Sequence, residues 1–292
     1  MLWFALILIL TAAFLHAGWN VLAKVSKDTL ALMWWASLVG AVGYGAWLIA
    51  TSGIYLNSAS WLPFLISAAA ETGYFVTLVK GYLQGDLSLV YPISRGSAPI
   101  FAAIWSALIL GERLPPLGYL GIALIVGGIC LVSVPLDKLL SRFGSISLHS
   151  IFRNGAVNWA LACAIFISIF SVSDKIVVAA TPPPVYIWWV IAGDTILWFP
   201  IVWRRLPLRR NFAELRRNWG GVIATGIAMT AAYGAALAAL ALTNVSYVVA
   251  GRGFSVVIGA AVGSLMLKES FGSSRIIGAL LMVTGLMLIA FA

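Results

Sequence analysis

The sequence predicts an all-α integral membrane protein of ten transmembrane helices, built as two five-helix repeats of inverted topology. Three observations carry this. Apolar runs of about 20 residues recur along the chain with short polar breaks, the length a helix needs to cross a bilayer. Hydrophobic residues make up 62% of the chain and charged residues 9%, too little polar surface to cover a water-soluble body. Finally, the segment 91–112, YPISRGSAPIFAAIWSALILGE, returns as VVAGRGFSVVIGAAVGSLMLKE. A shift of 157 lays Arg95 on Arg252, Glu112 on Glu269, Gly121 on Gly278 and Gly128 on Gly285.

In chain order the predicted spans are 2–23, 30–50, 61–83, 87–110, 117–135, 156–178, 185–203, 219–242, 245–267 and 272–291. The first has no basic region before MLWFALILIL and no clear small-residue cleavage site, so it reads as a span rather than a removed leader. The breaks carry turn and interface residues: SKDTL at 26, SGIYLNSAS at 52, LQGD at 83, GERLPPLG at 111 and TPPP at 181. The longest connections are 136–155 and 204–218. Because the first lies midway between the copies, the division is a first repeat at 1–135, a linker at 136–155 and a second repeat at 156–292. Trp34-Trp35 also matches Trp188-Trp189 at a shift of 154, and WNVLAK at 19 echoes FSVSDK at 170.

An odd number of spans per half makes the second half cross the membrane in the opposite sense to the first, an arrangement typical of transporters. Lys27, Lys138, Arg142, Arg153, the six arginines from Arg204 to Arg217 and Lys268 fall on one side, against Arg113 and Lys175 on the other. That bias predicts a cytoplasmic arginine-rich side and non-cytoplasmic termini. The arginine run reads as a topology-fixing loop beside anionic headgroups rather than a nucleic-acid surface, and it accounts for much of the net charge of +9.

An ionisable side chain near the bilayer centre costs about 2.5 to 3.5 kcal/mol, so each is a functional candidate. Glu71, Asp194, Arg95 and Arg252 qualify by depth. The arginines are repeat-equivalent, and Pro92, Gly96 and Pro99 around one and Gly251, Gly253 and Gly259 around the other predict helices that bend or loosen there. A corresponding pair of interrupted spans points to a substrate site near the midplane. The competing reading is a pair of structural arginines locked to carboxylates or helix ends. The acids have no counterpart: shifts place Glu71 on residues 228–230 and Asp194 on Gly40. A charge held by one half only is not a product of duplication, which favours ligand or proton chemistry over a static ion pair.

Polar stripes flank these charges. His16, Asn20 and Lys24 recur at helical spacing on the first span, and Tyr74, Leu78 and Tyr82 follow Glu71 on the third. Trp105 lies too deep for the aromatic belt that explains Trp3, Trp61, Trp159, Trp203 and Trp219; it lines a cavity or packs the core. The candidate substrate-binding set is His16, Asn20, Glu71, Tyr74, Arg95, Trp105, Asp194, Tyr233 and Arg252. Asp174-Lys175 reads as a local interfacial pair, and Cys130 and Cys163 as core residues. No HExxH, GxSxG or phosphate-cradling glycine loop occurs, which argues against the alternative of a membrane-embedded enzyme and against ATP drive. The expected partners are a small-molecule substrate and the bilayer, with no nucleic acid, cofactor or metal. A monomer suffices, since one chain holds both halves.

These features resemble the ten-helix EamA-type branch of the drug/metabolite transporter superfamily: GERL closing span 4 before GIALIVGG, and KES closing span 9 before GALLMVTG. The resemblance covers nearly the whole chain. It implies a bacterial plasma-membrane carrier, often an exporter of amino acids or other small metabolites, whose cavity is formed mainly by spans 1, 3, 4, 6, 8 and 9. Glu112 and Glu269 match the family's recurrent acids, though their place at helix ends suits a structural role. The smaller four-helix relatives couple protons through an acid in their first span. Here that span has His16 and Asn20 and no acid, so that mechanism does not carry over directly.

Overall fold

In the computed structural model, residues 2–85, 87–133, 155–255, 257–258 and 273–292 are described. The described residues form helices α1 (Leu2–Val25), α2 (Thr29–Thr51), α3 (Trp61–Gln84), α4 (Leu87–Leu110), α5 (Pro116–Ser133), α6 (Gly155–Ala180), α7 (Pro183–Arg205), α8 (Leu208–Arg217), α9 (Trp219–Leu242), α10 (Val245–Arg252) and α11 (Ser273–Ala290). Seven stretches, on α1 to α4, α6, α7 and α9, are long and apolar enough to cross a membrane, while α5 and α11 hold shorter apolar helices. The remaining predicted span, 245–267, is described in its first part only, and the predicted linker 136–155 lies almost wholly outside the described residues.

The breaks follow local chemistry. Asp28 caps α2 by accepting the Ala31 amide at 3.2 Å. Beyond α2 and α4 the chain turns through Gly53 (φ +77°) and Gly111 (φ +67°), a left-handed geometry that side chains disfavour. Pro116 opens α5 and Pro183 opens α7, where a missing amide hydrogen costs nothing.

Two expectations change. The arginine run is not a loop: Leu208–Arg217 is a helix, α8. Its Asn211 carbonyl accepts from Trp35 Nε1 at 3.2 Å, Glu214 is buried and bonded to Arg217 and Asn218, and all six arginines are exposed. A basic outer face over a few inward anchors is a surface helix, not a disordered connection. The predicted loosening at the two arginines also appears on one side only. α4 stays helical through Pro92, Gly96 and Pro99, whereas α10 ends at Arg252 with a turn at Gly253–Phe254 before helix resumes. Just past α10 the amides of Gly253 and Phe254 reach back only three residues, to the Ala250 and Gly251 carbonyls, each at 3.0 Å, so the backbone tightens there.

The halves interlock about a pseudo-two-fold relation. α3 of the first half packs on α6 of the second, and α1 packs on α9; the equivalent helices α5 and α11 pack on each other, as do α2 and α7, and α4 and α10. Hydrogen bonds repeat the relation. Trp34 Nε1 donates to the Thr195 carbonyl (3.1 Å) and Trp188 Nε1 to the Ala41 carbonyl (3.0 Å), positions that exchange under the shift of 154. Trp35 bonds to Asn211 and Trp189 to Ile54, which exchange under a nearly equal shift. The duplicated tryptophans thus fix helices α2, α7 and α8 to one another.

At the α5–α11 seam the repeat glycines meet crosswise. A Cβ on Gly121 would lie 2.8 Å from the Gly285 carbonyl oxygen, and one on Gly285 2.6 Å from that of Gly121; a Cβ on Gly128 would approach the Gly278 carbonyl to 2.5 Å. Small residues let the backbones touch, which is how helices associate where lipid offers no hydrophobic contrast. Large apolar side chains such as Phe4, Phe14, Leu65, Val76 and Leu108 remain on the outside, a surface suited to acyl chains.

Candidate functional site

Each repeat contributes an arginine set against a tyrosine. Arg95 of α4 stands 5.6 Å from the ring centre of Tyr74 on α3, and its Nη2 donates to the Tyr74 hydroxyl at 3.1 Å. Arg252 of α10 stands 5.5 Å from the ring centre of Tyr233 on α9. Helices α3 and α9 are repeat-equivalent, and the tyrosines are separated by 159 positions, close to the 157 that separates the arginines. A guanidinium over an aromatic face retains part of its electrostatic stabilisation away from water.

The second pair is tied to a residue that sequence reasoning passed over. Asp174 on α6 is 2% exposed. Its Oδ1 accepts from Ser67 of α3 and Tyr186 of α7, and its Oδ2 from Tyr233 of α9, each at 2.6 Å. One carboxylate therefore links four helices from both halves, with three donors replacing the water it lost. Asp174 does not pair with Lys175. The lysine amine turns to the end of α9, bonding the carbonyls of Leu240 (2.5 Å) and Thr243 (2.9 Å), and lies 4.0 Å from Glu112. Consecutive helical residues point about 100° apart, so a buried and an interfacial partner can sit side by side in sequence. TPPP at 181 already marks the end of the span, and α6 runs to Ala180, only two residues past the predicted end at 178. What the sequence does not display is that Ser67, Tyr186 and Tyr233 reach Asp174 from other helices.

Glu71 of α3 and Asp194 of α7 lie within electrostatic range of each other, and Glu71 also feels Asp174 and Arg252. His16 of α1 is within range of both Arg252 and Arg95. Glu71, Asp194, His16, Arg95, Arg252, Tyr74 and Tyr233 are all half-buried, deep in the helix mass while keeping some surface open. Among the described residues, the ion pairs are Lys175–Glu112 and Arg217–Glu214; neither Glu71 nor Asp194 is neutralised by such a contact. No three His, Cys, Asp or Glu side chains among the described residues converge to hold a metal ion.

Two predicted residues stand apart. Asn20 is exposed and its amide donates to the His16 carbonyl on its own helix at 2.6 Å. Trp105 packs against the cluster that includes Ala102, Val172, Val245 and Val248, its indole N–H buried and without a hydrogen bond among the described residues. On the third span, Tyr82 at the far end of the stripe is 37% exposed, so the inner part of that stripe is what faces the cluster. Glu112 serves a helix end: its Oε2 accepts the Val245 amide at the start of α10 at 3.0 Å. Its repeat partner Glu269 lies outside the described residues.

The profile of the EamA-like transporter family matches the chain twice, over residues 3–134 and 154–291. No curated protein matches the sequence. A crystal structure of a protein with 17% sequence identity shares the fold, with a TM-score of 0.73 over 97% of this chain and 95% of that one.

Proposed function

The chain belongs to the EamA-like transporter family, and from that premise we propose that this multi-pass membrane protein is a secondary exporter of small zwitterionic metabolites, amino acids foremost. In this reading ten spans form two inverted five-helix halves, divided at the 136–155 linker, and alternating access moves the cargo through a cavity between them. The observation that supports it is the arginine of each half set against a tyrosine, Arg95 on Tyr74 and Arg252 on Tyr233, with the half-buried Glu71, Asp194 and His16 on the helices packed around them. A zwitterion needs both signs of charge within one small void, and its transfer through hydrocarbon is prohibitive without them. Tyr74 and Tyr233 complete the binding set, with Trp105 and Asn20 at its margins. We place the protein in a bacterial plasma membrane with the α8 arginines in the cytoplasm, as the Lys/Arg bias favours.

The test is comparative metabolite profiling of the medium from cells with and without the protein, followed by efflux from proteoliposomes loaded with the compounds that rise. Outward movement of one or more amino acids supports the reading. A medium and liposome lumen unchanged for every small zwitterion would overturn it.

A further inference from the structure

The two arginines are equivalent by repeat and unequal by environment. Arg95 spends an N–H on the hydroxyl of its own tyrosine. At the second site the Tyr233 hydroxyl is turned to Asp174 at 2.6 Å, and among the described residues the Arg252 guanidinium has no hydrogen bond or ion pair, only the ring face of Tyr233 at 5.5 Å. A guanidinium presents five N–H donors in a planar fork, and leaving such a fork unmatched inside a protein is costly. The residue as a whole is half-buried, and the fork is left unmatched where a ligand carboxylate would satisfy it. Asp174 creates the difference, and the repeat has nothing like it: the shift of 151 that aligns α6 with α1 puts Ala23 in its place.

We infer that Arg252 receives the carboxylate of the transported zwitterion, that Arg95 is retained by Tyr74 as part of the wall, and that Asp174 is the positioning residue that keeps Tyr233 off the Arg252 fork. This rests on the proposed zwitterion cargo and gives it a direction. The carboxylate meets Arg252 through the bidentate geometry that arginine favours, and the ammonium lies toward Glu71 and Asp194, the pair of neighbouring acids not tied up by hydroxyl donors. The turn at Gly253–Phe254 directly after Arg252 lets the arginine shift with its ligand without bending a continuous helix.

The experiment uses the full chain in proteoliposomes loaded with a mixture of the twenty amino acids. For each amino acid that leaves, competition is measured with its amino alcohol, which lacks the carboxylate, and with its des-amino acid, which lacks the ammonium. Wild-type protein should prefer the amino acid over the amino alcohol by about tenfold to a hundredfold, the scale of a charge-assisted hydrogen-bonded pair. Arg252→Gln should erase that preference, and Asp174→Asn should weaken it, because the Tyr233 hydroxyl loses its acceptor and can turn to the fork; Tyr233→Phe, with no hydroxyl to compete, should keep it. Arg95→Gln and Tyr74→Phe should leave the ratio intact whatever they do to total flux. A ratio is insensitive to how much protein folds, and thermal unfolding of each variant checks that separately. Equal loss at Arg95 and Arg252, or full discrimination in Arg252→Gln, overturns the assignment. If wild-type liposomes release no amino acid, the cargo reading fails and takes this one with it, an outcome distinct from release without discrimination.

Discussion

Glu112, at the end of the first repeat's arginine helix, accepts a hydrogen bond from the Val245 amide 3.0 Å away, the first residue of the second repeat's arginine helix. A carboxylate at a helix N-terminus satisfies an orphan amide and opposes the positive end of the helix dipole. Lys175 stands 4.0 Å from the same carboxylate and bonds the carbonyls that end α9. The connection between α9 and α10 is thus held at both of its helix ends by residues outside it.

Glu112→Ala should therefore destabilise the protein by about 1 kcal/mol, the usual value of a cap, with a further loss from the released lysine. Glu112→Gln keeps an acceptor and should recover most of it. Thermal unfolding in detergent compares the two.

The α5–α11 seam predicts a sharper contrast. Gly121→Leu or Gly285→Leu drives a side chain into the opposing backbone and should cost about 3 kcal/mol or more, at the upper end of overpacking. Gly127, one residue from Gly128, has open space where its Cβ would lie, so Gly127→Ala should be neutral or stabilising by up to about 1 kcal/mol. Unfolding midpoints of the three variants decide it.

Asp174→Ala would strand the hydroxyls of Ser67, Tyr186 and Tyr233, the first two of them fully buried. Removing one partner of a buried charged network costs about 3 kcal/mol or more. Asp174→Asn keeps acceptor capacity at its carbonyl oxygen and should lose less. Denaturation in detergent, read by tyrosine and tryptophan signals, measures both.

Glu71→Gln and Asp194→Asn should each leave a folded protein with efflux reduced about tenfold or more, the loss expected when one charged contact is removed. Arg209→Gln, Arg210→Gln and Arg216→Gln on the exposed face of α8 should stay within about twofold of wild type, since surface charges contribute little individually. Initial rates from proteoliposomes of one lipid composition provide the comparison.

Composition and repetition made much of this legible. A 62% hydrophobic chain has one kind of solvent available to it, and the helix lengths follow from the thickness of that solvent. The matched arginines, tryptophans and glycines announced the two halves because duplication leaves a constant shift. The contacts across them were a different matter. That Gly121 meets Gly285, or that Trp34 reaches Thr195, depends on how the halves turn against each other, which a shift along one chain does not encode.

The sequence by itself determined that the protein is helical and membrane-bound and that it is written twice, because hydropathy and repetition are properties of linear order. Only the tertiary structure decided that Asp174 belongs in the interior, that the arginine run is a helix, and that Arg95 and Arg252 differ. Those depend on which donors reach a buried charge from other helices, and the donors to Asp174 come from positions 67, 186 and 233, brought together only by packing.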